Sequence, residues 1–399
     1  MIKHRLPGGH VRPELQDIVD EAAKVLAADI TLEDRDFNLV AYATQRFDLD
    51  SVRTSSILQR RSTRFIRTWF EQFGIAGSST PLRTPADPGQ GVRSRLCLPV
   101  RWRGVTYGYL WALDDATPLD HPAVLRAAQL ADHAGSYLAH LSRQHQEDAF
   151  AVSDLVGADV EKAREAAARL RERGRTPRPG PVVAVLVSAV GEGGSEVAPN
   201  LWSLPRSILA HRFADGVVLA VPLRHDRDDQ PAREAAELAL ALVAEELPGG
   251  EGRLVAGIGE AQPELERLRT SWLQARLAAR VAAAVPEQGP VARWSDLGLY
   301  RLLGTLSTSE LSPLVVDAAV RRLLDAGDAE LVETVRLYLD RACSAQATAA
   351  ALHIHRQTLY YRLTKAEAVT GLSFADGQDR TRLHLGLMLA PLLATPLVT

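Results

Sequence analysis

Near the C-terminus, Arg356, Gln357, Tyr360, Tyr361, Arg362, Thr364 and Lys365 gather side chains able to read a nucleic acid. A guanidinium suits guanine or a phosphate and a glutamine amide suits adenine, while threonine hydroxyls and lysine ammonium groups hold backbone phosphates. Leu359, Leu363 and Ala366 recur among them at helical spacing. They should turn inward and leave Gln357, Tyr361, Thr364 and Lys365 on the opposite side. The N-terminal part of a docked recognition helix meets the base edges. That assigns Arg356, Gln357, Tyr360 and Tyr361 to a DNA major groove and Arg362, Thr364 and Lys365 to phosphates, with Arg362 and Tyr360 toward the flanks of the face.

Such a helix needs a partner to hold it. Ser344 is a plausible N-cap for a first, alanine-rich helix, its hydroxyl accepting from an unpaired backbone N–H of the first turn. The small side chains of Ala347 to Ala351 allow close crossing, and Leu352 and Ile354 fill the corner between the helices. Apolar spacing predicts supporting helices from Pro313 to Ala326 and Asp328 to Cys343, and a closing helix from Asp379 to Leu393. Between Arg336 and Gly386, Arg336, Arg341, Arg356, Arg362, Lys365, Arg380 and Arg382 outnumber Asp340, Glu367, Asp376 and Asp379, although the chain as a whole carries a formal charge of −3. DNA affinity must then come from this local patch, through a few phosphate contacts that weaken as salt rises. Periodicity alone does not separate this reading from two ordinary packed helices.

The run Ala349-Ala-Ala-Leu-His-Ile-His-Arg-Gln-Thr-Leu-Tyr-Tyr-Arg-Leu363, followed by Thr370-Gly-Leu and Asp379-Arg-Thr-Arg-Leu-His-Leu-Gly-Leu387, makes that separation. It resembles the C-terminal helix-turn-helix of PucR-type (CdaR-like) bacterial transcriptional regulators. The resemblance implies double-stranded DNA as a partner, a small-molecule effector, and a homodimer or higher homo-oligomer.

Upstream, the spacing predicts a helix from Glu14 to Ala28, strands around Ala28 to Leu32 and Asn38 to Ala43, and one long helix from Ser51 to Phe73. Arg95-Leu-Cys-Leu-Pro-Val-Arg-Trp102 and Val105-Thr-Tyr-Gly-Tyr-Leu-Trp-Ala-Leu113 read as a hairpin turning at Arg103-Gly104. Alternation places Val105, Tyr107, Tyr109, Trp111 and Leu113 on one face. The order of elements and the Leu-Pro-Val…Gly…Tyr-Gly-Tyr-Leu-Trp pattern resemble a GAF-type sensor domain. GAF domains are often receptors for small molecules, so Trp69, Phe73, Tyr107, Tyr109 and Trp111 are candidate ligand-lining residues; the competing reading is that they fill the core or a dimer contact. A long amphipathic run from Pro122 to about Phe150 could pair with its copy in a dimer or pack on its own domain.

The middle of the chain offers a charged helix from Asp159 to Gly174, a strand from Val182, a glycine-rich loop at Gly191 to Gly194, and a strand pair reaching Phe213-Ala-Asp-Gly-Val. A helix from Ala232 to Glu246, the strand Leu254-Val-Ala-Gly-Ile-Gly259 and a helix holding Ser271-Trp-Leu-Gln-Ala follow. This βαβ-like order resembles the GGDEF-like domain of the same regulators. Nucleotide cyclisation needs carboxylates to hold divalent ions against a triphosphate. Here the first strand ends in Leu186-Val-Ser-Ala-Val190, and Asp215 alone marks the hairpin turn, where Asp-Gly is ordinary turn chemistry. No cyclase activity is expected. The loop Gly191-Glu-Gly-Gly lacks a following Gly-Lys-Ser/Thr, and Gly-x-Ser-x-Gly and His-Glu-x-x-His are absent.

A chain of 399 residues exceeds one core. The expected fold is multidomain α+β, with a GAF-like α/β sensor over 1–120, signalling helices over 121–175, a degenerate GGDEF-like α/β domain over 176–295 and an all-α helix-turn-helix domain over 296–399. Cys97 and Cys343 are the sole cysteines, which argues against a disulfide scaffold or cysteine metal site and fits a reducing cytosol. His10, His121, His133, His140 and His145 are scattered. No cofactor or metal is expected. The N-terminus lacks the apolar segment of a signal peptide, and the run Val182 to Val190 is too short to span a bilayer as a helix. The function so implied is a cytoplasmic, sequence-specific, effector-controlled transcriptional regulator and not an enzyme. The alternative is a nucleotide-binding or nucleotide-processing signalling protein acting through the GGDEF-like domain.

Overall fold

In the computed structural model, the described residues are 13–44, 50–59, 62–114, 116–176, 180–190, 201, 204–214, 216–244, 253–285, 288–304 and 316–394. They fall into two compact units, one drawn mainly from residues up to 177 and the other mainly from those that follow.

The first unit is built on an antiparallel sheet ordered β2-β1-β5-β4-β3. Its strands are β1 Ile30–Asp34, β2 Leu39–Ala43, β3 Leu82–Thr84, β4 Arg95–Trp102 and β5 Val105–Ala112. Helices α1 (Pro13–Leu26) and α4 (Pro122–Val156) bury an aliphatic core against one face, with Leu15, Val19, Leu32, Leu98, Leu110 and Leu138 at its centre. The first half of α4 is part of this core. Gly135 permits its close approach, because a Cβ there would lie 2.0 Å from the Arg101 carbonyl oxygen. The second half of α4 meets α5 (Val160–Glu172), whose Asp159 cap accepts from the N–H groups of Glu161 and Lys162. Arg169–Asp154 at 3.0 Å and Arg175–Asp148 at 2.7 Å tie this hairpin together.

Arg103 and Gly104, with φ of 50° and 83°, make the expected two-residue hairpin turn. Two expectations are corrected. The single helix from Ser51 to Phe73 is two, α2 (Ser51–Gln59) and α3 (Arg64–Glu71). Thr63 caps α3 by accepting from Ile66 N–H at 3.4 Å, and the Ser62 hydroxyl leaves the helical path to donate to Glu33 at 3.3 Å. Tyr107 does not share a face with Tyr109 and Trp111. Val100 pairs with Gly108 and Arg101 with Thr106, so Tyr107 is the extra residue of a β-bulge; it packs against the α1/α4 core instead.

In the second unit, β6 (Val182–Val190) lies between β8 (Gly216–Pro222) and β9 (Arg253–Ile258) and is antiparallel to both; strand β7 (Leu209–Phe213), most of which belongs to the first unit, precedes β8 in the chain. Strands β8 and β9 therefore run parallel on either side of β6, joined through α6 (Gln230–Ala244), which is a split βαβ arrangement. Helix α7 (Leu268–Ala284) packs on β6 and β9, and β10 (Val291–Arg293) extends the sheet parallel to β9. The Ser271 hydroxyl accepts from Ala184 N–H at 2.9 Å, fixing α7 to the central strand. The loop Gly191 to Gly194 and Asp215 lie outside the described residues.

The C-terminal helices follow: α8 (Ala318–Asp325), α9 (Ala329–Asp340), α10 (Ala345–Ala351), α11 (Arg356–Thr370) and α12 (Gly377–Ala394). The predicted start of α8 at Pro313 falls outside the described residues. Arg280 of α7 donates to the Leu392 carbonyl of α12 at 2.5 Å.

Candidate nucleic-acid interface

Helix α10 begins where Ser344 accepts from Ala347 N–H at 3.3 Å, and the Thr348 hydroxyl donates back to the Ser344 carbonyl at 2.8 Å. The turn is set by His353 at φ 53° and closed by Ile354 N–H donating to the Ala349 carbonyl at 3.0 Å. His355 then caps α11, its Nδ1 accepting from Gln357 N–H at 3.3 Å. Gly371 at φ 73° ends the helix in a left-handed residue. Leu359, Leu363 and Ala366 are buried, the first two against Ala349. This is the inward face that the spacing predicts.

Arg356, Gln357, Thr358, Tyr360, Tyr361, Thr364 and Lys365 are exposed. Tyr361 is 71% exposed and Tyr360 55%, a large solvated aromatic surface beside the start of a helix. Thr358 was not singled out from the sequence; its place between Gln357 and Leu359 is the only signal for it. The helix N-terminus itself favours an anion, through its unpaired N–H groups and dipole.

Arg362, at the flank of the face, packs inside the domain. Its guanidinium is half-buried and engaged inside the domain, donating to the Thr334 hydroxyl at 3.2 Å and pairing with Glu330. It clamps α11 to α9. Lys365 pairs with Asp328 at 2.7 Å, but both are solvated. The hydrogen bond between them raises the lysine pKa and lowers that of the aspartate, so Lys365 stays charged.

The C-terminal end of α11 is held with equal care. Arg322 of α8 donates to the Val369 carbonyl at 3.1 Å and to that of Thr370, covering carbonyls the helix leaves unpaired. Glu367 accepts from Phe374 N–H at 2.8 Å, and Arg382 of α12 pairs with Asp317 at 2.6 Å. The recognition helix is thus fixed at both ends and along its inner face while its first turns stay bare.

The aromatic residues singled out upstream are distributed differently. Tyr109 and Trp111 are buried with Phe37 and Phe70, the Phe70 and Trp111 rings 4.5 Å apart, and Trp69 and Phe73 pack at the margin of this cluster. Sequence reasoning missed the charged groups on the same face. Glu33, Arg53, Asp50 and Arg95 are all buried, with Arg95 donating to both Asp50 carboxylate oxygens at 2.9 Å. The alternation of Arg95 and Cys97 with Leu96 and Leu98 is the one trace of them in the sequence.

A bare, capped recognition helix behind a short alanine-rich helix defines a helix-turn-helix DNA-binding domain. Residues 331–389 match the PucR C-terminal helix-turn-helix domain, and residues 156–281 match a GGDEF-like domain. In these two segments the chain is similar to the PucR-type transcriptional regulators. Over 94% of its length it is 23% identical to the proline-responsive transcriptional activator PutR of Bacillus subtilis, covering 96% of that protein. It is 20% identical to the DNA-binding transcriptional activator AdeR of the same organism, over 94% of this chain and 92% of that one. The crystal structure of a regulator of polyketide synthase expression from Bifidobacterium adolescentis is 16% identical and covers 62% of this chain and 97% of its own; its TM-score of 0.25 is too low to bear on the fold. Among the described residues no helix is long and apolar enough to cross a membrane.

Proposed function

We propose that this protein is a sequence-specific, dimeric transcriptional activator in the cytoplasm whose DNA binding responds to a small molecule held by a GAF-like N-terminal unit. The observation that carries the reading is the first two turns of α11, where Arg356, Gln357, Thr358, Tyr360 and Tyr361 are exposed on a helix otherwise fastened on every side. Gln357 reads adenine, Arg356 reads guanine or holds a phosphate, and Tyr360 and Tyr361 contact the groove, while Thr364 and Lys365 hold backbone phosphates.

The two relatives matched over nearly their whole lengths are activators, and one is responsive to proline. Both facts favour activation governed by a small metabolite. The aromatic cluster of Tyr109 and Trp111, with Trp69 and Phe73 at its edge, is the place assigned to that metabolite; Tyr107 is excluded by its bulge.

Genome-wide mapping of bound DNA tests the reading, followed by titration of a recovered duplex at two salt concentrations. Discrete promoter sites and nanomolar specific binding are expected. Binding equal to that of random duplex at every salt concentration would overturn it.

A further inference from the structure

The two faces of the first sheet differ in kind. One, against α1 and α4, is aliphatic but for Tyr107 at its margin. The other, under α2 and α3, presents Thr31 and Glu33 of β1, Arg95 and Cys97 of β4, and Tyr109 and Trp111 of β5, all buried. Arg53 descends onto it from α2, donating to the carbonyls of Asp29 at 3.1 Å and Trp111 at 3.4 Å. The Arg95 guanidinium lies 5.2 Å from the Phe70 ring centroid, and that ring lies against Trp111.

A core that needed only to be filled would not carry this inventory, since buried charges are costly unless fully paired. Here the pairing is incomplete, and in one sense only. Arg53 Nε, Arg95 Nε and Trp111 Nε1 are buried without a hydrogen-bond partner, on residues 1 to 2% exposed. All three are donors, two of them on guanidinium groups. A buried donor left unpaired is unfavourable, and a cluster of donors is completed by an acceptor carrying negative charge. The neighbouring rings of Phe37, Phe70 and Tyr109 would bound the apolar part of the same molecule.

We propose that this face is the effector site and that it takes a small organic carboxylate, held by Arg53, Arg95 and the Trp111 indole N–H. The proposal rests on the reading of the N-terminal unit as a receptor and gives that receptor its ligand chemistry. Asp50 holds Arg95 in place, and the Glu33 carboxyl lies in the field of both arginines. Arg53 also faces Asp29, and the donors left over on this face are the N–H groups of Arg53, Arg95 and Trp111.

The test uses the full-length protein. Acetate, benzoate and L-proline are titrated beside acetamide, benzamide and L-prolinamide, with the melting temperature and the Trp111 indole N–H resonance as readouts, the latter assigned by its loss in Trp111→Phe. At least one carboxylate should raise the melting temperature and move the Trp111 resonance, and its amide should bind at least tenfold more weakly. Trp111→Phe, which keeps an aromatic ring but removes the N–H with the rest of the indole, should weaken that carboxylate about tenfold, and Arg53→Lys should do so further. Amides binding as tightly as acids, or no carboxylate moving the Trp111 resonance, overturns the proposal. Should a metabolite alter DNA binding while the Trp111 resonance stays fixed, the receptor reading survives and this site falls. If no metabolite alters either, both fall.

Discussion

Arg356 and Arg362 are the same residue type on one helix, and their surroundings give them opposite work. Arg356 is exposed in the first turn, whereas Arg362 is bound to Thr334 and Glu330. Arg362→Ala should therefore cost about 1 kcal/mol of domain stability, the low end for a charged hydrogen bond because Glu330 is largely solvated. Thermal unfolding reads that loss, and base preference should be unchanged. Gln357→Ala should leave stability alone and relax preference at one base position by roughly 1 to 3 kcal/mol, as binding to a set of single-base operator variants would show. Lys365→Ala should weaken all sequences alike and reduce the salt slope by about one phosphate contact. Glu33 makes a different prediction at the same scale. Burial pushes its pKa from 4.5 to about 7, against the lowering influence of Arg95 and Arg53. The folded state thus holds a proton that the unfolded chain releases near pH 4.5, so stability falls as pH rises from there to about 7 and is flat above. Fully buried, the shift corresponds to on the order of 3 kcal/mol. Urea unfolding between pH 5 and 8 should show wild type losing stability relative to Glu33→Gln across that window; parallel curves would exclude the shift.

At the scale of elements, Gly257 and Gly259 settle what the Gly-Ile-Gly stretch does. A Cβ on Gly257 would lie 1.9 Å from the Ala275 carbonyl oxygen, and one on Gly259 would lie 2.1 Å from that of Ser271. The glycines let β9 and the following turn touch the α7 backbone, and substitution forces the helix off the sheet. Gly257→Ala should cost about 3 kcal/mol as overpacking strain, while Gly180→Ala, where the nearest atom is 3.7 Å away, should stay within about 0.5 kcal/mol; differential scanning calorimetry of the two variants checks this. Elements of this kind were legible where the determinant is local. The Arg103-Gly104 turn, the Ser344 cap and the Leu359, Leu363, Ala366 stripe depend on residues a turn or less apart, and each is visible in sequence. The misses share the opposite cause. Tyr107 changes face because of a register shift between two strands, and the break between α2 and α3 depends on Ser62 reaching Glu33 in another element. Glu33 was invisible as a site residue because a charged residue in a strand ordinarily marks the solvent face, not a second buried one.

At the scale of the whole molecule, the electrostatics bear on how tightly DNA can be held. The chain carries a formal charge of −3, so no long-range attraction to DNA helps a single copy. Within the domain Arg362, Arg322 and Arg382 are committed to Glu330, to the α11 carbonyls and to Asp317. Those three are not offered to phosphates, and each phosphate contact contributes modestly and in a salt-dependent way. One helix-turn-helix should accordingly bind a half-site weakly, and tight binding requires two copies on one duplex, where the second contact is made at a high effective concentration. The geometry of paired recognition helices then demands half-sites about 10 to 10.5 base pairs apart, or a multiple of that. Inserting about 5 base pairs between the half-sites turns one of them to the opposite side of the duplex. Affinity should fall at least tenfold, to near that of a single half-site, and inserting a full turn should restore part of it. Gel-shift titrations of the three duplexes, with sedimentation to count copies per complex, make the measurement. Equal affinity for all three, or one copy bound at saturation, would remove the dimer from the proposed function while leaving the helix-turn-helix itself in place.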